Sequence, residues 1–258
     1  MTKRAIFLII TGLKGKVKIS KLLLGLMVLG LLFIGSIAWD LSHLPQVDAL
    51  KHANPKTTAL MEQRQRQAHG RPLRPYQVFV PYGSISPHLK HAVLIAEDDA
   101  FFSHGGIDFD ELKEAIKTDW EKKRWSRGAS TLTMQLAKNL YLSASKSLTR
   151  KIAEFFIAQR LEFVLSKVRI FELYLNYIEW GNNVYGCEAA SRSFFKTTAA
   201  ELTPEQAIRL AAIIINPRRY SPYSDTRRIN NRRKMLAERM HAAGFLSDAE
   251  YQALPFGQ

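Results

Sequence analysis

Three polar stretches carry the residues able to do chemistry in this chain. Glu97 and Asp98 close a helix pattern that starts at Pro87 and are followed by Phe101, His104 and Gly106; next come Ser130, Thr131, Thr133, Gln135, Lys138 and Asn139; then Arg150, Lys151 and Glu154. Two carboxylates, a hydroxyl-rich helix start and several cations in so short a stretch suit transfer chemistry on an anionic sugar substrate. Lys138, Lys146, Arg150 and Lys151 all precede Glu154, a density of positive charge matched to a diphosphate, whose oxygens accept strong charge-assisted hydrogen bonds. A plain glycosidic bond needs a general acid for its poor sugar leaving group. A sugar diphosphate departs well once its charge is neutralised, so the cations favour transfer. The attacking hydroxyl still needs a base, and Glu97, at the end of the apolar run Ala92-Val93-Leu94-Ile95-Ala96, is placed for partial burial and a raised pKa.

Plainer readings stand beside each of these. Thr131, Gln135 and Lys138 share one helix face while Leu132, Leu136 and Leu140 share another, so the polar set could be a solvated face. Arg150, Glu154, Ala158 and Glu162 recur every four residues, the pattern of surface ion pairs worth a few tenths of a kcal/mol each. His88 and His91 sit three apart with no third ligand at useful spacing, so no metal site is expected. His104, in a glycine-flanked turn, suits a structural hydrogen bond better than acid catalysis, and Asp98 a local anchor or cap. Cys187 is the only cysteine, which rules out an internal disulfide and reads as a small buried residue of a helix from Gly186 to Phe195.

The elements that must position these groups are almost all helical. Residues 40–75, with Pro45, Pro55, Pro72, Pro75 and the Gln63-Arg64-Gln65-Arg66 run, lack sustained apolar periodicity and read as a stalk. Val78-Phe79-Val80 is a candidate strand. Ser86-Pro87 reads as an N-cap and first-turn pair. Asp108 with Glu111 opens a helix to about Arg124; Ser130 opens one to Tyr141, Ser147 or Thr149 one to Val164, and Ser166 one that stops at Gly181. Thr203-Pro204-Glu205-Gln206 is a capping box with a first-turn proline, and Asp225 to Ala243 followed by Ser247-x-x-Glu250 gives two more helices. The expectation is a mainly α domain, 76–258, of about eight helices.

Nearly half the 258 residues are hydrophobic and the net charge is +14, which implies an acidic partner without choosing among nucleic acid, anionic lipid and phosphorylated substrate. Location narrows the choice. Residues 22–39 form an apolar run of about 18, roughly 27 Å as a helix, close to a bilayer's hydrocarbon thickness. Segment 1–21 carries Lys3, Arg4, Lys14, Lys16, Lys18 and Lys21 without an acid, so the N-terminus is expected in the cytoplasm and the rest outside it. Ser36 and Ala38 resemble a signal-peptidase site, but the long run and the bulky Trp39 favour an anchor. Trp120 and Trp125 among Lys122, Lys123 and Arg124 suggest a membrane-touching lobe. The basic run Arg227 to Arg233 invites a nucleic-acid reading, yet an exported domain favours anionic lipid or plain solvation, and no nucleic-acid partner is expected.

Spelled out, the motifs are Glu97-Asp98-x-x-Phe101-x-x-His104-x-Gly106, Gly128-x-Ser130-Thr131-x-Thr133-x-Gln135-x-x-Lys138-Asn139, Arg150-Lys151-x-x-Glu154-x-x-x-Ala158-x-x-Leu161-Glu162 and Lys167-x-x-Ile170-x-x-x-Tyr174-x-Asn176. A fifth runs from Ala189-Ala190 through Phe194 to Pro217. In this order, over about residues 76–223, the chain resembles the bacterial peptidoglycan glycosyltransferases. About 35 residues remain after them, too few for a transpeptidase domain, so the monofunctional form is expected.

The resemblance implies a lysozyme-like α fold on a single N-terminal transmembrane helix in the bacterial inner membrane, with the catalytic domain periplasmic. It implies inverting polymerisation of lipid II into β-1,4-linked glycan with release of undecaprenyl diphosphate. Lipid II, the growing glycan, the membrane and other cell-wall synthesis or division proteins would be the partners. No cofactor is obligatory, though Mg²⁺ or Mn²⁺ could assist.

By the same resemblance Glu97 would deprotonate the acceptor 4-hydroxyl and Glu154 would be a second carboxylate near the donor. Lys138, Lys146, Arg150 and Lys151 would hold the diphosphate, Ser130, Thr131 and Gln135 would contact substrate, and Asp98 and His104 would support the site. Ser193, where the family often has tyrosine, and Gln206, where it usually has glutamate, depart from the pattern. Two rivals are a lysozyme-like lytic enzyme that cleaves glycan strands and a tethered wall-binding protein that would tolerate replacement of Glu97.

Overall fold

The computed structural model describes residues 23–36, 38, 39, 42, 44–68, 74–106, 113, 130–142 and 147–256. The chain divides into two units, Met1–Leu44 with Ser147–Ala153, and Pro45–Lys146 with Glu154–Gln258. In the smaller unit residues 23–36 are helical, with Leu23, Leu29, Leu32 and Ile34 all exposed. Fourteen residues rise about 21 Å, and among the described residues no helix is long and apolar enough to cross a membrane. Leu22, Ile37 and Asp40 lie outside the described residues, as do Trp120, Trp125 and the Asp108 and Glu111 pair.

Nine further helices are described: α1 (Ala59–Gln67), α2 (Pro87–Glu97), α3 (Leu132–Tyr141), α4 (Leu148–Val164), α5 (Lys167–Tyr177), α6 (Cys187–Phe195), α7 (Pro204–Ile213), α8 (Arg227–Ala242) and α9 (Asp248–Gln252). Their starts follow local chemistry. The side chains of Thr131, Ser166 and Thr226 each accept a backbone N–H of the first turn of their helix. Capping boxes form at Thr203 with Gln206 and at Ser247 with Glu250, so the glutamine departure keeps the box closed. Two caps differ from expectation. Thr131, not Ser130, is the N-cap of α3, and Ser86 makes no side-chain cap because its hydroxyl donates instead to the Leu202 carbonyl (2.9 Å).

In the larger unit α2, α7 and α8 pack mutually, and α3 packs on α5 and α1. Leu132, Leu136 and Leu140 form the buried face of α3, each contributing about 2 kcal/mol by leaving water. A small sheet of order β1-β3-β2 packs on α6; β1 (Tyr76–Gln77) runs parallel and β2 (Glu179–Gly181) antiparallel to β3 (Val184–Tyr185).

The sheet explains two departures from the sequence reading. The helix expected to reach Gly181 ends at Tyr177, because Glu179 to Gly181 pair with β3 and bury Trp180 completely. Val78-Phe79-Val80 is not a strand; Val80 instead exchanges both backbone hydrogen bonds with the Asn176 side chain (2.9 and 2.9 Å).

The stretch read as a stalk is, over 47–67, packed into the larger unit. Val47, Leu50 and Met61 are buried. Arg169 donates to the carbonyls of Leu50 (2.9 Å) and Ala53 (3.1 Å), and the Tyr177 hydroxyl to that of Pro55 (2.7 Å). Arg64 on α1 grips Glu179 through Nε and Nη2, the shortest contact being 2.7 Å. These attachments are polar and long-range, which is why apolar periodicity did not reveal them.

Asn176 is fully buried and also donates to the Glu172 carbonyl at 2.8 Å. Asn176→Ala is expected to lower stability by about 2–4 kcal/mol, since both polar groups of Val80 lose their partner. Chemical denaturation at neutral pH checks this; a loss under about 0.5 kcal/mol would contradict the assigned role.

Candidate active site

Glu97 is the last residue of α2 and keeps 13 % of its side-chain surface exposed. Both its oxygens are bonded: Gln135 Nε2 on α3 donates to Oε2 at 3.0 Å, and Arg232 Nη2 on α8 to Oε1 at 2.8 Å. The Tyr174 hydroxyl, on α5, donates to Gln135 Oε1 at 3.1 Å, which turns the amide nitrogen toward Glu97. Burial first, then the Glu97 and Asp98 carboxylates, hold the Tyr174 hydroxyl well above its usual 10, so it remains a donor.

Opposed effects act on Glu97 itself. Withdrawal from water raises its pKa above the ordinary 4.5; Arg232, the Gln135 hydrogen bond and Lys138 pull it down, and Asp98 pushes it slightly up, with burial prevailing. The result is a carboxylate that is harder to keep charged than a surface one and correspondingly more basic.

Asp98 ends α2 and begins the support of α3. It is buried, accepts the Leu132 N–H through Oδ2 (2.9 Å) and bonds His104 Nε2 through Oδ1 (2.9 Å). One carboxylate therefore ties the end of the Glu97 helix to the start of the Gln135 helix, satisfying an N–H that the first turn leaves open. Gly106 completes the junction. Its φ of +82° and the Glu162 Cγ lying 2.8 Å from where a Cβ would stand require glycine, and its carbonyl accepts the Thr131 hydroxyl at 2.7 Å.

Glu154 and Glu162 depart from the surface ion-pair reading. Glu154 is 2 % exposed. Glu162 accepts bonds from Thr133 and, at 2.8 Å, from Lys167, whose ammonium also lies 4.2 Å from the centre of the Phe101 ring. Glu154, Ala158 and Glu162 on α4 thus face inward, and spacing could not tell that face from a solvated one.

Within the larger unit the structure gathers Glu97, Asp98, His104, Ser130, Thr131, Gln135 and Lys138 around the α2–α3 junction; the Ser130 carbonyl also accepts the Gln135 amide (3.4 Å). Arg150 and Lys151 belong to the smaller unit, and Lys146 lies outside the described residues. His88 and His91 face α9 and the turn before it, His88 3.9 Å from Glu250 and His91 stacked 3.8 Å from Phe245.

Arg232 was missed by sequence reasoning, which assigned the Arg227–Arg233 run to lipid or solvent. Arg232 turns inward to Glu97, and Arg233, buried, donates to the Pro222 carbonyl at 2.7 Å. The available signal was Ile229, Leu236, Ala237 and Met240, an apolar helical stripe that places position 232 beside the core-facing side.

The Transglycosylase family model matches residues 65–241. The chain is 40% identical over 234 residues to the biosynthetic peptidoglycan transglycosylase of Aromatoleum aromaticum, covering 90% of this chain and 98% of that protein. It is 46% identical over 167 residues to the protein of the same name from Dechloromonas aromatica, 65% of this chain and 72% of that one. With the namesake from Alcanivorax borkumensis the identity is 41% over 215 residues, 83% and 86% of the two chains.

A ¹³C-carboxyl NMR titration is expected to place Glu97 above 4.5. Because the folded value exceeds the unfolded one, this group's contribution to stability is complete below the unfolded pKa and is lost as pH rises through the folded one. A midpoint at or below 4.5 would show that the Arg232 pair outweighs burial.

Proposed function

Since the chain belongs to the transglycosylase family, we propose that its activity, polymerisation of peptidoglycan glycan strands, proceeds at the α2–α3 junction with Glu97 as the base. The observation that carries this assignment is the Glu97 carboxylate, partly withdrawn from water, bonded at both oxygens and lying in the field of Lys138. Each carboxylate oxygen has a second lone pair, so a proton can still be accepted.

In this reading the acceptor's 4-hydroxyl passes its proton to Glu97 as its oxygen attacks the anomeric carbon of lipid II. The bond from that carbon to the diphosphate breaks, the configuration inverts to a β-1,4 linkage, and undecaprenyl diphosphate leaves with the bonding electron pair. Lys138 stabilises the growing charge on the diphosphate, with Glu154 as the second carboxylate beside the donor; the sequence motifs alone offer Lys146, Arg150 and Lys151 as further cations. Ser130, Thr131 and Gln135 contact the sugars; Asp98 and His104 keep α2 and α3 in register. No metal is obligatory, and Mg²⁺ or Mn²⁺ could add charge neutralisation at the diphosphate.

The family's work is in the cell envelope. We place segment 1–21 in the cytoplasm, 22–39 across the inner membrane and, outside it, the glycosyltransferase domain of 76–258 together with the 47–67 stretch packed into it. The lysine-rich start and the apolar run support that topology. A membrane anchor would keep the domain near its lipid-linked donor and near other wall-synthesis or division proteins.

Labelled lipid II incubated with the detergent-solubilised protein should yield polymer that moenomycin abolishes. Glu97→Gln should stop chain growth while the circular dichroism spectrum is kept, because an amide cannot take the proton. Lys138→Ala should lower turnover about 10²-fold, as for loss of one preorganised donor. Undiminished polymerisation by Glu97→Gln would refute the base assignment, and soluble fragments from purified cell wall without polymer would favour the lytic reading.

A further inference from the structure

Arg232 stands 135 residues beyond Glu97 and outside the motifs that carry the family resemblance. Its Nη2 donates both to Glu97 Oε1 (2.8 Å) and to the Ala96 carbonyl (3.1 Å). One guanidinium group therefore bridges the carboxylate and the peptide carbonyl just before it, which fixes the side chain relative to its own backbone. Two turns further along α8, Arg239 bonds the Ile95 carbonyl (3.3 Å) and the Asp99 carboxylate. These are carbonyls of the last turn of α2, which lack helical partners and form the negative end of its dipole.

We propose that Arg232 is a positioning residue of the transfer reaction, acting through Glu97 by holding the carboxylate in the orientation and charge state that accept the sugar proton. This rests on the reading of Glu97 as the base. Charged groups facing Glu97 are Arg232 from α8, Lys138 from α3 and Asp98 next to it, with the neutral Gln135 and the Tyr174 hydroxyl completing the surroundings; Arg232 is in turn faced by Arg228 and Tyr174. Of the two cations, Lys138 is the one assigned to the departing diphosphate. Once substrate is bound its charge is shared with the phosphates, and Arg232 is the cation that stays with the base. Burial disfavours the charged carboxylate, so without Arg232 a larger fraction of Glu97 is protonated and unable to act.

The test compares pH profiles of kcat/KM for lipid II polymerisation by wild type, Arg232→Gln, Arg232→Lys and Arg239→Gln, with a ¹³C titration of Glu97 in each. Arg232→Gln is expected to move the acid limb upward by about one unit and to lower kcat at neutral pH at least about 10-fold, with KM changed under about 2-fold. Arg232→Lys restores the limb through its charge but only part of kcat, since the shorter side chain does not set its nitrogen where Nη2 meets carboxylate and carbonyl together. Arg239→Gln, which removes contacts to the same helix end without touching Glu97, leaves the limb where wild type has it.

An active wild type whose Arg232→Gln variant keeps the wild-type limb and Glu97 midpoint overturns the proposal. So does an equal loss of kcat in the Arg232 and Arg239 variants without a pH shift, which would mean a structural clamp only. An inactive wild type refutes the functional reading instead; the Glu97 midpoint, which needs no turnover, still reports on the Arg232 contact.

Discussion

A carboxylate at the end of an apolar helix, drawn out of water yet bonded at both oxygens, is the constraint around which the larger unit is arranged. Removing a charge from water costs several kcal/mol, and a close cation in a partly buried setting returns a comparable amount. Neither effect decides alone. The outcome depends on where Gln135, Lys138 and Arg232 stand, and those three come from two helices that follow the Glu97 helix in sequence at very different distances.

Holding α2 and α3 in register is therefore a condition for the chemistry. Asp98 does this with one side chain, accepting the Leu132 N–H and bonding His104. The Gly106 carbonyl and Glu162 close the same junction through Thr131 and Thr133. Asp98, Thr131 and Thr133 are buried with these bonds made, so rearranging the junction would strand a buried donor or acceptor. Tyr174 extends this order to the amide of Gln135, and through it to the base.

Legibility in the sequence followed the range of the physics involved. Capping boxes at Thr203 and Ser247, the cap at Ser166 and the leucine face of α3 were readable because each involves residues within one or two turns. The end of α5 and the position of the first strand were not. Glu179 to Gly181 pair with β3 and Val80 spends its hydrogen bonds on Asn176, and neither partner can be inferred from local propensity. The inward face of α4 was equally hidden, since a four-residue repeat has the same form whether water or Thr133 and Lys167 lies opposite.

By itself the sequence determined the helical class, most helix starts, the acid at the end of an apolar helix and the cations near it, because residue type, periodicity and spacing act locally along the chain. Only the tertiary structure decided that residues 47–67 belong to the packed body and that Arg232, from a run that looked like solvated basic surface, faces Glu97. Those outcomes rest on contacts between residues more than a hundred positions apart, where burial and ion pairing depend on which surfaces meet, and no local pattern specifies that.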